Sequence, residues 1–233
     1  MNNEPVLSCE GLTKTYGSTI ALSGVDLCIE AGQSVAVMGP SGSGKTTLLH
    51  CLAGILGADS GSVVLGTGGS PLRIDQLGEE QRARLRRESF GFVFQQGLLL
   101  PELTAVENAA LPLMLAGVDR REAERQAAGW LAHLGLAGLE GRRLGEMSGG
   151  QCQRVAIARS QVTGARVTFA DEPTGALDQH TSAEVLGALL QATAGRGRTL
   201  VMVTHDEKVA AACSRIVRLQ DGHVVHDSMA VAA

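Results

Sequence analysis

The sequence predicts an α/β fold built on a mostly parallel sheet and interrupted by a helical insert over residues 97–160. Three observations carry this. Short apolar runs of strand length alternate with helical patterns near both ends of the chain. One such run is followed at once by a glycine-rich segment that opens a helix. Between them the chain shows helical periodicity with almost no strand signal. Strands that alternate with helices favour parallel pairing, because each crossover helix returns the chain in the same direction.

In order, residues 6–9 and 22–30 read as strands, with Val25, Leu27 and Ile29 alternating with polar or small residues. The run S-V-A-V-M (34–38) stops at Gly39 and suits a buried strand, after which 45–55 reads as a helix. Residues 63–65 form a further strand candidate, and 79–87 a charged helix without a wide apolar face. In F-G-F-V-F-Q-Q, the two-residue period of a strand puts Phe90, Phe92 and Phe94 on one face. Residues 104–117 and 119–136 read as two helices. Strand runs return at 167–170, 200–204 and 216–219, with helical patterns at 178–194 and 206–213 between them. There is no internal repeat and no low-complexity linker. The expectation is one domain over 1–233, with a core of 1–96 and 161–233 around the insert.

A chain of 233 residues buries enough surface to fold without a disulfide or metal staple. Its formal charge of −4 gives no basic excess for a nucleic-acid partner. Glycine is the outlier, 30 residues without a period, which points to turns and close backbone approaches. The five cysteines are scattered and include no C-x-x-C pair, so they read as reduced thiols of an intracellular protein. Cys152 reads as a structural thiol. The start, M-N-N-E-P-V, carries no leader pattern. The most apolar stretch, 98–117, is broken by Pro101, Glu102, Glu107 and Pro112, so no membrane span is expected.

Gly39-Pro40-Ser41-Gly42-Ser43-Gly44-Lys45-Thr46-Thr47 fits G-x-x-x-x-G-K-[ST] between a strand and a helix. Its glycines let backbone N–H groups curl around a phosphate. The helix start adds partial positive charge, Lys45 adds a full one, and the Thr46 hydroxyl is a ligand for Mg²⁺. Asp171 closes the run V-T-F-A, and a carboxylate there is costly unless it meets a cation such as that Mg²⁺. Glu172 then stands where a general base would polarise water. A solvated acidic turn is the alternative. Ser148-Gly149-Gly150-Gln151 forms a capping box ahead of a helix. Capping leaves the two glycines unexplained, and their bare N–H groups would admit a second phosphate contact.

Taken together, these motifs resemble those of the nucleotide-binding subunits of ATP-binding-cassette (ABC) transporters. M-S-G-G-Q (147–151) stands where that family has L-S-G-G-Q. The resemblance runs from about Val6 to Val225. It implies a P-loop NTPase core with a mostly parallel sheet, an antiparallel β subdomain and a helical insert. By the same resemblance Tyr16, in L-T-K-T-Y-G, matches the aromatic that stacks on adenine. Gln95 matches the glutamine that touches Mg²⁺ and the lytic water. Gly175-Ala176-Leu177-Asp178 matches the loop that crosses to a partner subunit, and His205 the switch histidine at the γ-phosphate. A-D-E-P-T-G-A-L-D (170–178) and the stretch from F-V-F-Q-Q to L-T-A-V-E-N are most similar to the lipoprotein-release and macrolide or antimicrobial-peptide export group. Met147, Cys152, S-Q-V-T (160–163) and Thr168 depart from the family pattern, but none removes a group that touches phosphate or metal.

The resemblance thus implies an ATP hydrolase using ATP and Mg²⁺, with Glu172, His205 and Gln95 as catalytic residues. It implies a homodimer holding each ATP between one chain's 39–47 and the other's 148–151. That dimer would sit on the cytoplasmic face of the membrane and drive a separate permease, contacted near 95–117, with no nucleic-acid partner. A mechanical or signalling ATPase on a membrane partner, of the cell-division type, is the rival reading. A P-loop kinase is disfavoured by S-G-G-Q, and a DNA-repair cassette by the single-cassette length and negative charge. His223 and His226, three apart on a strand, are expected to face opposite ways and to hold no metal.

Overall fold

The computed structural model describes residues 5–229, so the reading of Met1–Glu4 as leaderless lies outside the described residues. The chain opens with a long antiparallel pair, β1 (Leu7–Tyr16) and β2 (Thr19–Ile29). Both are longer than their hydropathy suggests. Register shifts at Cys9/Leu12, Leu12/Lys14 and Lys14/Thr15 break the alternation that would have extended the first strand. β4 (Ser60–Leu65) and the two-residue β5 (Leu72–Arg73) complete an antiparallel sheet in the order β2-β1-β4-β5.

The second sheet runs β10-β9-β3-β8-β7-β6, from β3 (Ser34–Met38), β6 (Phe90–Phe94), β7 (Val167–Asp171), β8 (Thr199–Val203), β9 (Arg215–Gln220) and β10 (His223–Asp227). All its pairs are parallel except that of β10 with β9 at the edge. This is the expected α/β architecture. β3 and β8 are buried at every position, as continuous apolar strands between helical layers must be. Thr168 is tolerated inside β7 because its hydroxyl accepts a 2.8 Å bond from Gln161 Nε2.

Among the described residues seven α-helices flank the sheets: α1 (Lys45–Leu52), α2 (Glu79–Ser89), α3 (Ala105–Leu115), α4 (Arg120–His133), α5 (Gly149–Gln161), α6 (Gln179–Ala192) and α7 (Glu207–Ala211). Alternation along β8 sorts the core. Val201 and Val203 face α1 and the antiparallel sheet, whereas Leu200 and Met202 face the helices. Leu131 and Leu136 of the central helical segment join Leu200 and Met202 in one apolar cluster, in which α4 packs on α3 and α5, and α5 packs on β6 of the sheet. Phe90, Phe92 and Phe94 do share a face. Phe92 stacks between Phe94 and Phe169 at centroid distances of 6.0 and 5.8 Å, and Phe90 meets Phe169 edge-on at 5.1 Å.

The histidine pair departs from its expected geometry. β10 is irregular between Val224 and His226, so His223 pairs with Gln220 and His226 with Arg218. Gln220 and Arg218 lie two apart, and the extra residue therefore brings both histidines to one exposed face. No cluster of three metal-ligating side chains stands there or elsewhere among the described residues.

Candidate nucleotide site

β3 ends at Met38 and the loop 39–44 turns the chain into α1. Two glycines are required by geometry. Gly39 has φ +148° and a Cβ there would lie 2.1 Å from the Leu219 carbonyl oxygen. Gly44, at φ +99°, would meet the Ala21 oxygen at 2.2 Å. Pro40, Ser41 and Gly42 form the exposed crest, and Thr47 is half-buried. Lys45 is buried and folds back across the loop, its Nζ donating to the Gly39 and Pro40 carbonyls at 2.9 and 2.8 Å. The Ser43 hydroxyl is buried without a hydrogen-bond partner among the described residues. No acidic residue occupies the first turn of α1, and no side chain caps it. A cation, uncapped N–H groups and an orphan hydroxyl converge on one loop, which suits an anion.

Beside it, the Thr46 hydroxyl lies 3.3 and 3.4 Å from the two carboxylate oxygens of Asp171, at the end of β7. Burial raises the Asp171 carboxyl above its ordinary pKa, against the pull of the Thr46 hydrogen bond. A desolvated carboxylate next to a hydroxyl is an all-oxygen donor set, which fits a hard divalent cation such as Mg²⁺.

Glu172 adopts a left-handed backbone, φ +48°, unusual for a residue with a side chain. Its N–H donates to Val203 O at 3.0 Å, tying the turn to the neighbouring strand. Its Oε1 lies 2.8 Å from His205 Nδ1, and this contact holds the imidazole above its ordinary pKa. Gln95 follows β6 and lines a cleft of about 360 Å³ with Thr46, Asp171 and Glu172. Thr46, Gln95, Asp171, Glu172 and His205 are thus brought to one end of the parallel sheet, at the carboxyl ends of its strands.

Of the other sequence-predicted residues, Gly175 lies beside Gln95, where a Cβ would stand 3.0 Å from Gln95 Nε2, whereas Tyr16, 148–151 and Asp178 do not line this cleft. Ser148 Oγ accepts from Gln151 N at 3.2 Å, and Gln151 Oε1 accepts from Ser148 N at 2.9 Å, a complete capping box. No hydrogen bond among the described residues joins 148–151 to 39–47. Gly150 has a packing reason of its own: a Cβ there would stand 2.4 Å from Thr181 Cγ2 on α6. Asp178 caps α6, one carboxylate oxygen accepting from His180 N and Thr181 N at 3.0 and 3.1 Å. Tyr16 is 50% exposed at the end of β1, with Lys14 Nζ 5.8 Å from its ring centroid. Three polar residues without a motif also bear on the site. Gln153 hydrogen-bonds to the carbonyl of Phe94, the last residue of β6, and Asn108 and Arg159 to backbone groups of the segment that follows.

Comparison with known proteins matches this frame. Residues 22–175 match the ABC transporter family. The chain is 42% identical over 229 residues to the pyoverdine export ATP-binding/permease protein PvdT of Pseudomonas syringae pv. tomato, covering 96% of this chain and 34% of that one. It is 43% identical over 228 residues to the macrolide export ATP-binding/permease protein MacB of Nitrobacter winogradskyi, at 96% and 35% coverage. The chain therefore spans about a third of the length of the curated relatives it matches. Among solved structures, the ATP-binding cassette MJ0796, in a dimeric post-hydrolysis state bound to ADP and Pi, superposes with a TM-score of 0.85 at 35% identity, over 97% of this chain and all of that one. With a shared motif order, a shared architecture and a full-length structural match, the chain belongs to the ABC transporter family.

Proposed function

We propose that this chain binds and hydrolyses ATP with Mg²⁺ as one half of a dimer, and that the dimer powers an export permease from the cytoplasmic face of the membrane. The observation that carries the reading is the division of the site. One cleft gathers Thr46, Asp171, Glu172 and Gln95 next to the loop that holds Lys45, whereas 148–151 do not line it; on this reading a second copy brings them to the nucleotide.

Lys45 and the start of α1 neutralise phosphate charge, and Ser43 supplies its free hydroxyl. Thr46 and Asp171 hold the Mg²⁺, which supplies further charge neutralisation on the phosphate oxygens. Gln95 orients the attacking water, and Glu172 accepts its proton. His205 fixes the Glu172 carboxylate at the distance described. From a second copy, the free N–H groups of Gly149 and Gly150 close on the γ-phosphate, and Asp178 lies at the crossing loop. Tyr16 offers a half-exposed ring to adenine.

The permease reading is supported by the names of the relatives, which join ATP-binding and permease functions in one export protein. It is also supported by an apolar groove of about 480 Å³ between the central helices and β6. Leu98 and Leu115 on its rim are 59% and 65% exposed, a cost that a docked permease segment removes. No helix among the described residues is long and apolar enough to cross a membrane.

The test uses two inactive variants. Ser148→Arg blocks closure and abolishes hydrolysis with ATP binding intact. Lys45→Ala loses ATP affinity. Mixing them restores turnover in a concentration-dependent way, because one site of the mixed dimer has both halves intact. If Ser148→Arg alone hydrolyses ATP at the wild-type rate at every concentration, the shared-site reading is wrong.

A further inference from the structure

The segment after β6 carries Gln95 into the cleft, and its backbone is held from α5 as well as by its own turn. Phe94 to Gly97 form a tight turn closed by Gly97 N donating to Phe94 O at 2.9 Å, with Gly97 at φ +69°. Gln95 is the first inner residue of that turn. Both ends of the turn are fastened from α5. Gln153 Nε2 donates to the Phe94 carbonyl at 2.8 Å, and Arg159 donates to the Gly97 and Leu98 carbonyls at 2.6 and 2.7 Å.

Gln153 is 3% exposed, so its amide has been taken from water for this bond. It sits four residues after Gly149 in an unbroken helix, about 6 Å along the axis from the N–H groups of Gly149 and Gly150. A helix moves as a rigid rod over one turn. The same rod therefore carries the 148–151 start at one end and grips the Gln95 turn through Gln153.

We propose that Gln153 is a positioning residue that couples the start of α5 to Gln95. Displacement of α5, as its N-terminus closes on a second copy, draws the Phe94 carbonyl with it and sets Gln95 in the cleft. Where α5 is withdrawn, Gln95 is withdrawn as well. Gln153 touches no substrate atom; it acts through the turn. The kinetic half of this inference rests on the proposed ATP hydrolysis, whereas the mechanical half does not.

Gln153→Met keeps the length of the side chain and removes the donor. In the nucleotide-free protein, amide hydrogen exchange of the peptide spanning Gln95 to Leu98 should quicken by about tenfold, the scale of one lost hydrogen bond, with β7 and β8 unchanged. Where the wild type hydrolyses MgATP, kcat should fall by a similar factor with KM within about twofold. Combined with Gln95→Ala, Gln153→Met should lower kcat no further than Gln95→Ala does, because both act through one side chain. If Gln153→Met fails to fold, Gln153→Glu, which sets an acceptor against the Phe94 carbonyl, is read in the same two assays. Unchanged exchange at 95–98, or kcat losses that multiply in the double variant, overturns the coupling. A wild type without hydrolysis overturns the functional reading, while exchange still decides whether Gln153 holds the turn.

Discussion

Gly150→Ala is the variant that separates two reasons for a glycine at the start of α5. Close approach of a phosphate to a bare N–H is one; close approach of α6 is the other. A Cβ at position 150 would fall 2.4 Å from Thr181 Cγ2 and 3.8 Å from Val185 Cγ2. The methyl cannot rotate away freely, since Thr181 Oγ1 is hydrogen-bonded to the Asp178 carboxylate. Overpacking of this kind costs about 1–3 kcal/mol. Alanine returns up to about 1 kcal/mol of helix propensity over glycine. The net expectation is a loss of about 1–2 kcal/mol, or a fall of about 2–8 °C in Tm for a chain of this length. Thr181→Ser deletes the offending methyl and keeps the hydroxyl. Paired with Gly150→Ala it should recover most of the loss, a coupling of about 1 kcal/mol. Urea unfolding of the four proteins, with unchanged slope, measures this directly. If Gly150→Ala is as stable as the wild type and shows no coupling to position 181, helix packing does not dictate the glycine.

Two further variants address the chemistry. Glu172→Gln should bind ATP with unchanged affinity by calorimetry while kcat falls by roughly 10²-fold or more, the scale of a lost general base; near-wild-type turnover removes Glu172 from that role. The same substitution should lower the His205 pKa, followed by ring-proton NMR, because Glu172 is the main cause of its rise. A histidine raised in the folded state contributes its stabilisation fully below the unfolded value of 6.5, and loses it as pH climbs through the folded value. The stability advantage of the wild type over Glu172→Gln should therefore shrink as pH rises above 6.5, and an advantage that grows instead refutes the pairing.

What sequence reasoning recovers, and what it misses, follows from where the information lies. β3, β7 and β8 are legible because a strand covered on both faces reads as a mostly apolar run, with the polar Ser34, Thr168 and Thr199 buried as well. β1 is half legible because its irregularities shift the face of each residue after Cys9. The histidines of β10 mislead for the same reason: period two holds only while the ladder is regular. Motif residues are legible in chemistry but not in mutual distance, so nothing in the spacing of 148–151 tells that Thr181 crowds Gly150. Gln153, Arg159 and Asn108 escape notice because their partners are carbonyl or amide groups of the backbone. Every residue carries those groups, and no pattern of side chains marks the ones that will be gripped.

The helix starts carry a more general point about how the site is divided. Ser148, Thr104, Asp119, Asp178 and Asp206 each cap the helix they precede, and α2 has Glu79 and Glu80 in its first turn. Among the described residues α1 alone has neither a side-chain cap nor an acid there. Omitting a cap costs about 1 kcal/mol, and Lys45 adds a buried cation whose partners are only carbonyls. These costs and the orphan Ser43 hydroxyl fall at one loop, and a polyanion offsets all of them together. The start of α5 is different. Its capping box already occupies Gln151 N, leaving Gly149 and Gly150 to offer free N–H groups. On the proposed function, such an end adds to a nucleotide already held by α1. On that proposed function, this asymmetry sets an order of events: α1 binds first within one chain, and α5 of a second chain reports that binding by closing.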